Sequence, residues 1–146
     1  MLHFANGVPF TTGRAAYLDH GANAPEGSAK IFVRIEASGF DGLVLAQLDT
    51  GAAWSVLNAE IAEALGLLDG DGEPIELKTR FGAFNGRLEE ATIRVLAEEG
   101  ESLEVNARVF VSHDWSHQTF LGYMGLLERI RFGLDPQVND FYFGSY

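Results

Sequence analysis

No cysteine occurs in this chain, which excludes a disulfide framework, a thiolate metal site and a cysteine nucleophile. Basic residues are scarce: 10 Lys and Arg stand against 21 Asp and Glu, for a net charge of −11. That balance disfavours phosphate backbones and anionic membrane surfaces, so neither nucleic acid nor a membrane is an expected partner. No apolar run approaches the roughly 20 residues of a membrane-spanning helix. The opening Met1-Leu2-His3-Phe4-Ala5-Asn6-Gly7 lacks the basic flank and apolar core of a secretory signal. The cytoplasm is therefore the expected location. Internal repeats and low-complexity tracts are lacking as well.

What is present reads as one folded domain. The 146 residues are 47% apolar and 12% aromatic, enough to bury an ordinary core. Residues 1–28, rich in Gly, Ala, Asn and Pro, read as an N-terminal arm with one short strand at Arg14 to Leu18 and a loop from Asp19 to Ser28; residues 29–146 form the domain. Lys30 to Ala37 alternates, with Ile31, Val33 and Ile35 on one face, as in a half-buried strand. After a turn at Ser38 to Gly42, Leu43 to Leu48 is apolar on both faces except for Gln47, which predicts an interior strand. Trp54 to Leu57 suits a short strand. Asn58 is a good N-cap for a helix from Ala59 to Leu65, with Gly66 at its stop.

Ile75 to Phe81 and Arg87 to Leu96 predict a hairpin whose loop is Gly82-Ala83-Phe84-Asn85-Gly86. A second hairpin turns at Glu98 to Glu101 into Leu103 to Val111, the acidic residues forming a solvated turn. Phe120-Leu121-Gly122 is a short strand, and Tyr123 to Arg129 suggests a second short helix, weakened by Gly125. Ile130 to Leu134 and Phe141 to Phe143 close the chain as a hairpin. The fold class expected is all-β, mainly short strands with two short helices, in a small barrel or paired sheets.

One stretch demands chemistry. Asp49 follows the apolar strand and precedes Thr50, Gly51 and Ala52, and a lone ionised Asp at the end of a buried strand is costly unless it is satisfied or used. The plainer account is an Asp that caps a turn through its own backbone. Leu48-Asp49-Thr50-Gly51-Ala52, a glycine-bounded hairpin some thirty residues on, and the later Phe120-Leu121-Gly122 strand together resemble, in that order, the retroviral-type aspartic proteases, the retropepsins. The likeness runs from about Lys30 to Leu134 and is closest to single-domain bacterial members.

That resemblance implies a closed barrel with one lobe per chain, active as a homodimer that cuts extended peptides with no cofactor and no metal. Metal-free peptide hydrolysis needs a base to activate water and an acid to protonate the carbonyl oxygen and the leaving nitrogen. Two carboxylates about 3 Å apart share one proton and fill both roles. Only one Asp-Thr-Gly triplet is present; Asp69-Gly70 and Asp71-Gly72 lack the hydroxyl residue and the apolar lead-in. The second carboxylate must then come from a second copy by two-fold symmetry. Asp49 is the expected catalytic residue. In its loop Gly51 lets backbone N–H groups approach the carboxylate, and in the family the hydroxyl at Thr50 reaches across to the partner loop. Gly82, Ala83, Phe84, Asn85 and Gly86 match the flap in position, with Phe84 packing on substrate or else folded onto its own strands. Leu121 and Gly122 are the supporting strand. Many retroviral members carry an acid at the position of Ala53, so a polar contact to the substrate is removed here and subsite preference is left open, and the aromatic tail Phe141, Tyr142, Phe143 and Tyr146 suits an interface.

Other constellations are poorer. His113 and His117 are four apart but flank loop-like Asp114-Trp115-Ser116. Ser55 and Ser116 lack the glycines of a nucleophile elbow. Trp54, three residues beyond Gly51, reads as a core aromatic, the alternative being that it lines a substrate pocket. The alternative function is a catalytically inactive module of the same fold, used for dimerisation or for binding peptide by strand addition.

Overall fold

The computed structural model describes residues 1–20 and 30–146; most of the expected loop from Asp19 to Ser28, and the boundary between arm and domain, lie outside the described residues. In chain order the elements are β1 (Gly13–Ala16), β2 (Ile31–Ala37), β3 (Val44–Leu48), β4 (Ser55–Val56), α1 (Ala59–Ala64), β5 (Glu73–Thr79), β6 (Gly82–Val95), β7 (Glu99–Gly100), β8 (Leu103–Val111), β9 (Phe120–Leu121), a 3-10 turn (Leu127–Arg129), β10 (Arg131–Asp135) and β11 (Asp140–Gly144). The chain is all-β in class. Strands β2, β3, β9, β4, β8 and β6 follow one another, and β6 returns to β2 through Ile35↔Val95 and Ala37↔Ile93, so the sheet closes into a barrel. β5 extends it beyond β6.

β3 is buried on one face only: Val44, Ala46 and Leu48 point into the core while Leu45 and Gln47 are partly exposed, so the two-sided burial expected of it is not realised. Ile35, Ala46, Ile93, Ala107, Val109 and Leu121 fill the barrel with almost no exposure. Each large side chain fully buried in this way contributes about 1.5–3 kcal/mol. A smaller cluster of Val56, Leu88, Phe110, Trp115 and Phe120 lies beneath the β5–β6 hairpin and is covered by Trp54, Ile75, Leu77 and Phe84.

The remaining strands form a second sheet in the order β10, β11, β1, β7. β1 is integral to it, with Ala15 buried, so this part of the expected arm belongs to the core. The acidic turn is also tied down: Arg14 bridges Glu99 at 2.9 Å and Asp140 at 2.5 Å, and the Ala16 N–H donates to Glu98. Those two carboxylates raise the Arg14 pKa. Phe141 and Phe143 are core residues at 1% and 0% exposure, which removes them from any interface and leaves Tyr146 as the exposed aromatic of the tail.

Helix α1 forms as its caps predict. The Asn58 side chain accepts from Glu60 N–H at 2.9 Å, and Gly66, at φ +71, closes the helix with Gly66 N–H to Glu63 O and Leu67 N–H to Ala62 O. The second helix is reduced to the 3-10 turn. Gly125 turns at φ +78 with its α-carbon against Arg108, where a Cβ would lie 2.5 Å from the Arg108 carbonyl oxygen, so helix cannot begin at Tyr123.

Candidate active site

Strand β3 carries Asp49 to the rim of the barrel, held by β2 on one side and by parallel β9 on the other (Gln47↔Phe120, Leu48↔Leu121). The Asp49 N–H donates to Leu121 O at 3.0 Å. Beyond Asp49 the chain doubles back into β4, which pairs with the far side of β9. β9 is thus threaded between the two strands that flank the loop. The crossing is tight, because Gly122 lies on the backbone of Trp54 and Ser55, and its N–H donates to the buried Ser55 Oγ at 2.9 Å. Further on, Tyr123 N–H donates to Ala52 O at 2.9 Å and Met124 N–H to Ala53 O at 2.8 Å. Leu121 and Gly122 therefore pin the loop from below.

Asp49 is half-buried at a surface and not at the centre of the fold. Its Oδ1 accepts from Gly51 N–H at 3.0 Å, and Ala52 N–H donates to its carbonyl at 3.1 Å. A Cβ on Gly51 would lie 3.3 Å from that same Oδ1, which is why the smallest residue suits the position. Thr50 is exposed; among the described residues its hydroxyl has no hydrogen-bond partner.

A cleft of about 460 Å³ opens above this loop. Asp49, Gly51, Ala52, Ala53 and Trp54 form its floor; Gln47, Val56, Trp115 and Phe120 its walls; and Leu77 to Phe81 its roof. Among the described residues Asp49 is the one carboxylate on its lining. Trp54 is half-buried and faces this cleft, so it is both a core and a cleft residue.

The roof corrects the expected hairpin. β5 and β6 pair from Glu73↔Leu88 to Thr79↔Gly82, so the tip is Arg80-Phe81. Ala83, Phe84, Asn85 and Gly86 all lie within β6, and Gly82 alone of the five borders the turn, at φ +120. Thr79 Oγ1 accepts from Phe81 N–H at 3.0 Å and donates to Gly82 O at 3.1 Å, which fixes the two-residue loop. Gly86 is needed in the strand itself: a Cβ there would come within 2.2 Å of Val111 O and 2.6 Å of the Phe110 ring. Phe84 packs edge-on to Trp115 with ring centres 5.0 Å apart, folded onto its own sheet. The aromatic at the tip is Phe81, stacked on His117 at 4.1 Å and 17°, with the Arg80 guanidinium 4.9 Å from its ring centre.

His117 thus supports the hairpin tip, while His113 lies 3.8 Å from Asp69. Among the described residues no three His, Cys, Asp or Glu side chains are gathered as for a metal ion. Sequence reasoning missed Gln47, Trp115, Phe120, Arg80 and Phe81 as cleft residues. Trp115 alone carried a usable signal, as a tryptophan in an otherwise polar connection.

No protein-family model matches the chain, and no curated protein matches it either. Among solved structures it is similar to a retropepsin-like aspartic protease from Rickettsia conorii, with a TM-score of 0.54 and 18% sequence identity over 91% of each chain. The fold is retropepsin-like. In this retropepsin-like lobe the Asp49 loop, the threaded β9 strand and the overhanging hairpin enclose one cleft. Among the described residues no helix is long and apolar enough to cross a membrane.

Proposed function

We propose that the chain is an aspartic endopeptidase that works as a homodimer, with one Asp49 from each protomer. The observation that carries this reading is Asp49 itself: among the described residues it is the one carboxylate lining the cleft and has a single N–H on its oxygens, beneath a hairpin. A carboxylate offers about four acceptor positions, so most of this one remains free for a water and a second carboxyl group.

In the reaction, two Asp49 carboxyl groups share one proton. The ionised one takes a proton from a water held between them as its oxygen attacks the scissile carbonyl. The protonated one gives its proton to the carbonyl oxygen. The tetrahedral intermediate collapses as the nitrogen is protonated and leaves. Extended peptide lies along the apolar lining of Trp54, Val56 and Phe120, and the Arg80-Phe81 tip acts as the flap that excludes water. The unpartnered Thr50 hydroxyl is available to the opposite loop. Stray cleavage is suppressed because a lone lobe has only half of the acid–base pair.

The test is Asp49→Asn. The wild-type chain should cleave members of a peptide library between acidic and neutral pH, and the variant should remain folded and dimeric with cleavage reduced at least about a thousandfold, as expected for loss of a group the transition state requires. Equal cleavage by both proteins overturns the reading.

A further inference from the structure

The cleft runs against the charge of the chain. Acidic residues outnumber basic ones by 21 to 10 overall, yet among the described residues the charged positions on the cleft lining are Asp49, Lys78 and Arg80. Lys78 is exposed and alternates with the half-buried Leu77 along β5, so its side chain leaves the opposite face of the hairpin from Leu77. Arg80 is placed differently. It stands at the hairpin tip with its guanidinium 4.9 Å from the Phe81 ring centre, and that ring is stacked on His117 at 4.1 Å. A guanidinium laid over a ring keeps its N–H edge free, and among the described residues the Arg80 guanidinium has no hydrogen bond and no carboxylate partner. Arg14, Arg34, Arg94 and Arg108, by contrast, are all paired with carboxylates.

A second donor borders the same space. Gln47 stands two residues before Asp49, and alternate residues of a strand share a face, so the two side chains leave that face roughly 6–7 Å apart. Both line the cleft. Gln47 Oε1 accepts from Gln118 Nε2, and Gln118 is anchored in turn, its carbonyl accepting from Trp115 Nε1 at 3.0 Å. The Gln47 amide nitrogen, with two donor hydrogens, has no partner among the described residues. The wall around it is apolar, formed by Val56, Trp115 and Phe120. The Thr79 hydroxyl is already engaged in closing the turn. Asp49 apart, what the cleft offers a ligand is donors.

Donors without acceptors in an otherwise apolar cleft select a ligand that brings oxygen atoms to them, because a substrate lacking those atoms leaves the donors unpaired. Residues of an extended peptide follow one another at about 3.3 Å, so Gln47 meets a side chain within two residues of a bond held over Asp49. We propose that the cleft takes peptides with a glutamate or aspartate within two residues of the scissile bond, Gln47 donating to that side chain from the wall and Arg80 facing it from the roof. Both are specificity-determining residues. This rests on the peptidase reading above and names its substrate class. The net charge of −11 repels an acidic peptide at a distance, but such repulsion falls off within about 8–10 Å at physiological salt. The groups lining the cleft therefore decide the preference.

Mapping of cut sites in a peptide library, followed by kcat/KM on matched peptides carrying Glu, Gln, Leu or Lys at the selected position, tests this on the full chain. Glu should exceed Lys about tenfold, since a partly exposed cation attracts the one and repels the other, and the ratio should shrink as salt is raised. Arg80→Glu should reverse the order of Glu and Lys. Gln47→Leu should bring the Leu peptide level with the Gln peptide while Glu still exceeds Lys. Arg94→Gln, at a cation paired with Glu36 at 3.4 Å outside the cleft, should change neither ratio, and all variants should match the wild type in circular dichroism. The same peptides, fluorescently labelled and titrated into Asp49→Asn by anisotropy, read binding apart from cleavage. Cleavage with no preference among the four peptides, or an order that survives Arg80→Glu, overturns the proposal and leaves the peptidase reading standing. Binding of the Glu peptide that is lost in Arg80→Glu, in a chain that cleaves nothing, supports the acidic preference and counts against the peptidase reading. A chain that neither cleaves nor binds any of the peptides overturns both.

Discussion

Replacing Gly122 with alanine should loosen the whole Asp49 loop. An added Cβ would lie 2.3 Å from both C and O of Trp54 and 2.7 Å from Ser55 N, against the 3.4–4 Å of ordinary contact. The opposing atoms are backbone, and β4 is clamped by Ser55↔Val109 on one side and Val56↔Phe120 on the other. About 1 Å of separation must be found in a close-packed region, which costs roughly 1–3 kcal/mol. The Gly122 N–H to Ser55 Oγ bond is lengthened by the same movement, adding about 1 kcal/mol. The expected loss is about 2–4 kcal/mol, or roughly 6–12 °C in Tm at about 3 °C per kcal/mol for a chain of this size. Urea unfolding followed by fluorescence of Trp54 and Trp115 would read it as a lower midpoint at constant slope. Gly51→Ala is the contrast. Its Cβ meets only Asp49 Oδ1, at 3.3 Å, on an exposed residue, so stability should stay within about 0.5 kcal/mol while peptide cleavage falls. Equal stability of Gly122→Ala and wild type, or equal losses in the two variants, would refute this account of how the loop is held.

The corrected hairpin separates two phenylalanines by function. Phe84→Ala empties a half-buried position against Trp115 and should cost about 2 kcal/mol in urea unfolding, below the range for fully buried Phe. Phe81→Ala removes an exposed ring stacked on His117; it should cost under about 1 kcal/mol yet raise KM for peptide, measured by initial rates. The Asn58→Ala variant loses the cap of α1 and the Nδ2 bond to His117 O at 2.8 Å, for about 1–2 kcal/mol by the same unfolding assay. Loss of solvent and the neighbouring Asp140 raise the Tyr142 pKa, so the folded state keeps that proton when the unfolded chain has begun to lose it. The stabilisation is complete below the ordinary tyrosine pKa of about 10 and is lost as pH rises through the higher folded value. Tyr142→Phe should therefore flatten the decline in stability above about pH 10, seen in Tm measured against pH.

The barrel strands and the Asp49 loop were legible because their signals are local. Alternation marks β2, Asn58 and Gly66 bracket α1, and Asp49-Thr50-Gly51 follows an apolar strand. The hairpin tip was misplaced because glycine has two uses. Gly82 turns the chain at φ +120, whereas Gly86 is small so that β6 can cross Phe110 and Val111, and nothing in the sequence near Gly86 names those residues. Register was set instead by Thr79, whose hydroxyl closes the turn from a position read as mid-strand. The second helix failed for a similar reason, since Gly125 answers to Arg108, far away in sequence. The cleft walls were hidden because Trp115 and Phe120 come to line the same cleft as Asp49 only through the threading of β9.

Two aspartates show what separates a structural carboxylate from one left available. Asp140 is 9% exposed and fully engaged: Arg14 donates to one oxygen at 2.5 Å and the Tyr142 hydroxyl to the other at 3.3 Å. A charge in that position needs both partners, since breaking a buried pair leaves an uncompensated ion. Asp49 ends an equally well-anchored strand, yet among the described residues its carboxylate receives one N–H, from Gly51. The backbone around it is held tightly, by Leu121, Ser55 and the Tyr123 and Met124 amides, while the carboxylate itself is not. Rigid support around an unspent acceptor is what a reacting group needs, because it meets its partners in place without reorganising. A turn-capping aspartate needs only the Gly51 N–H. It gives no reason for the threaded β9 or for a hairpin roofing a cleft in which, among the described residues, Asp49 is the one carboxylate.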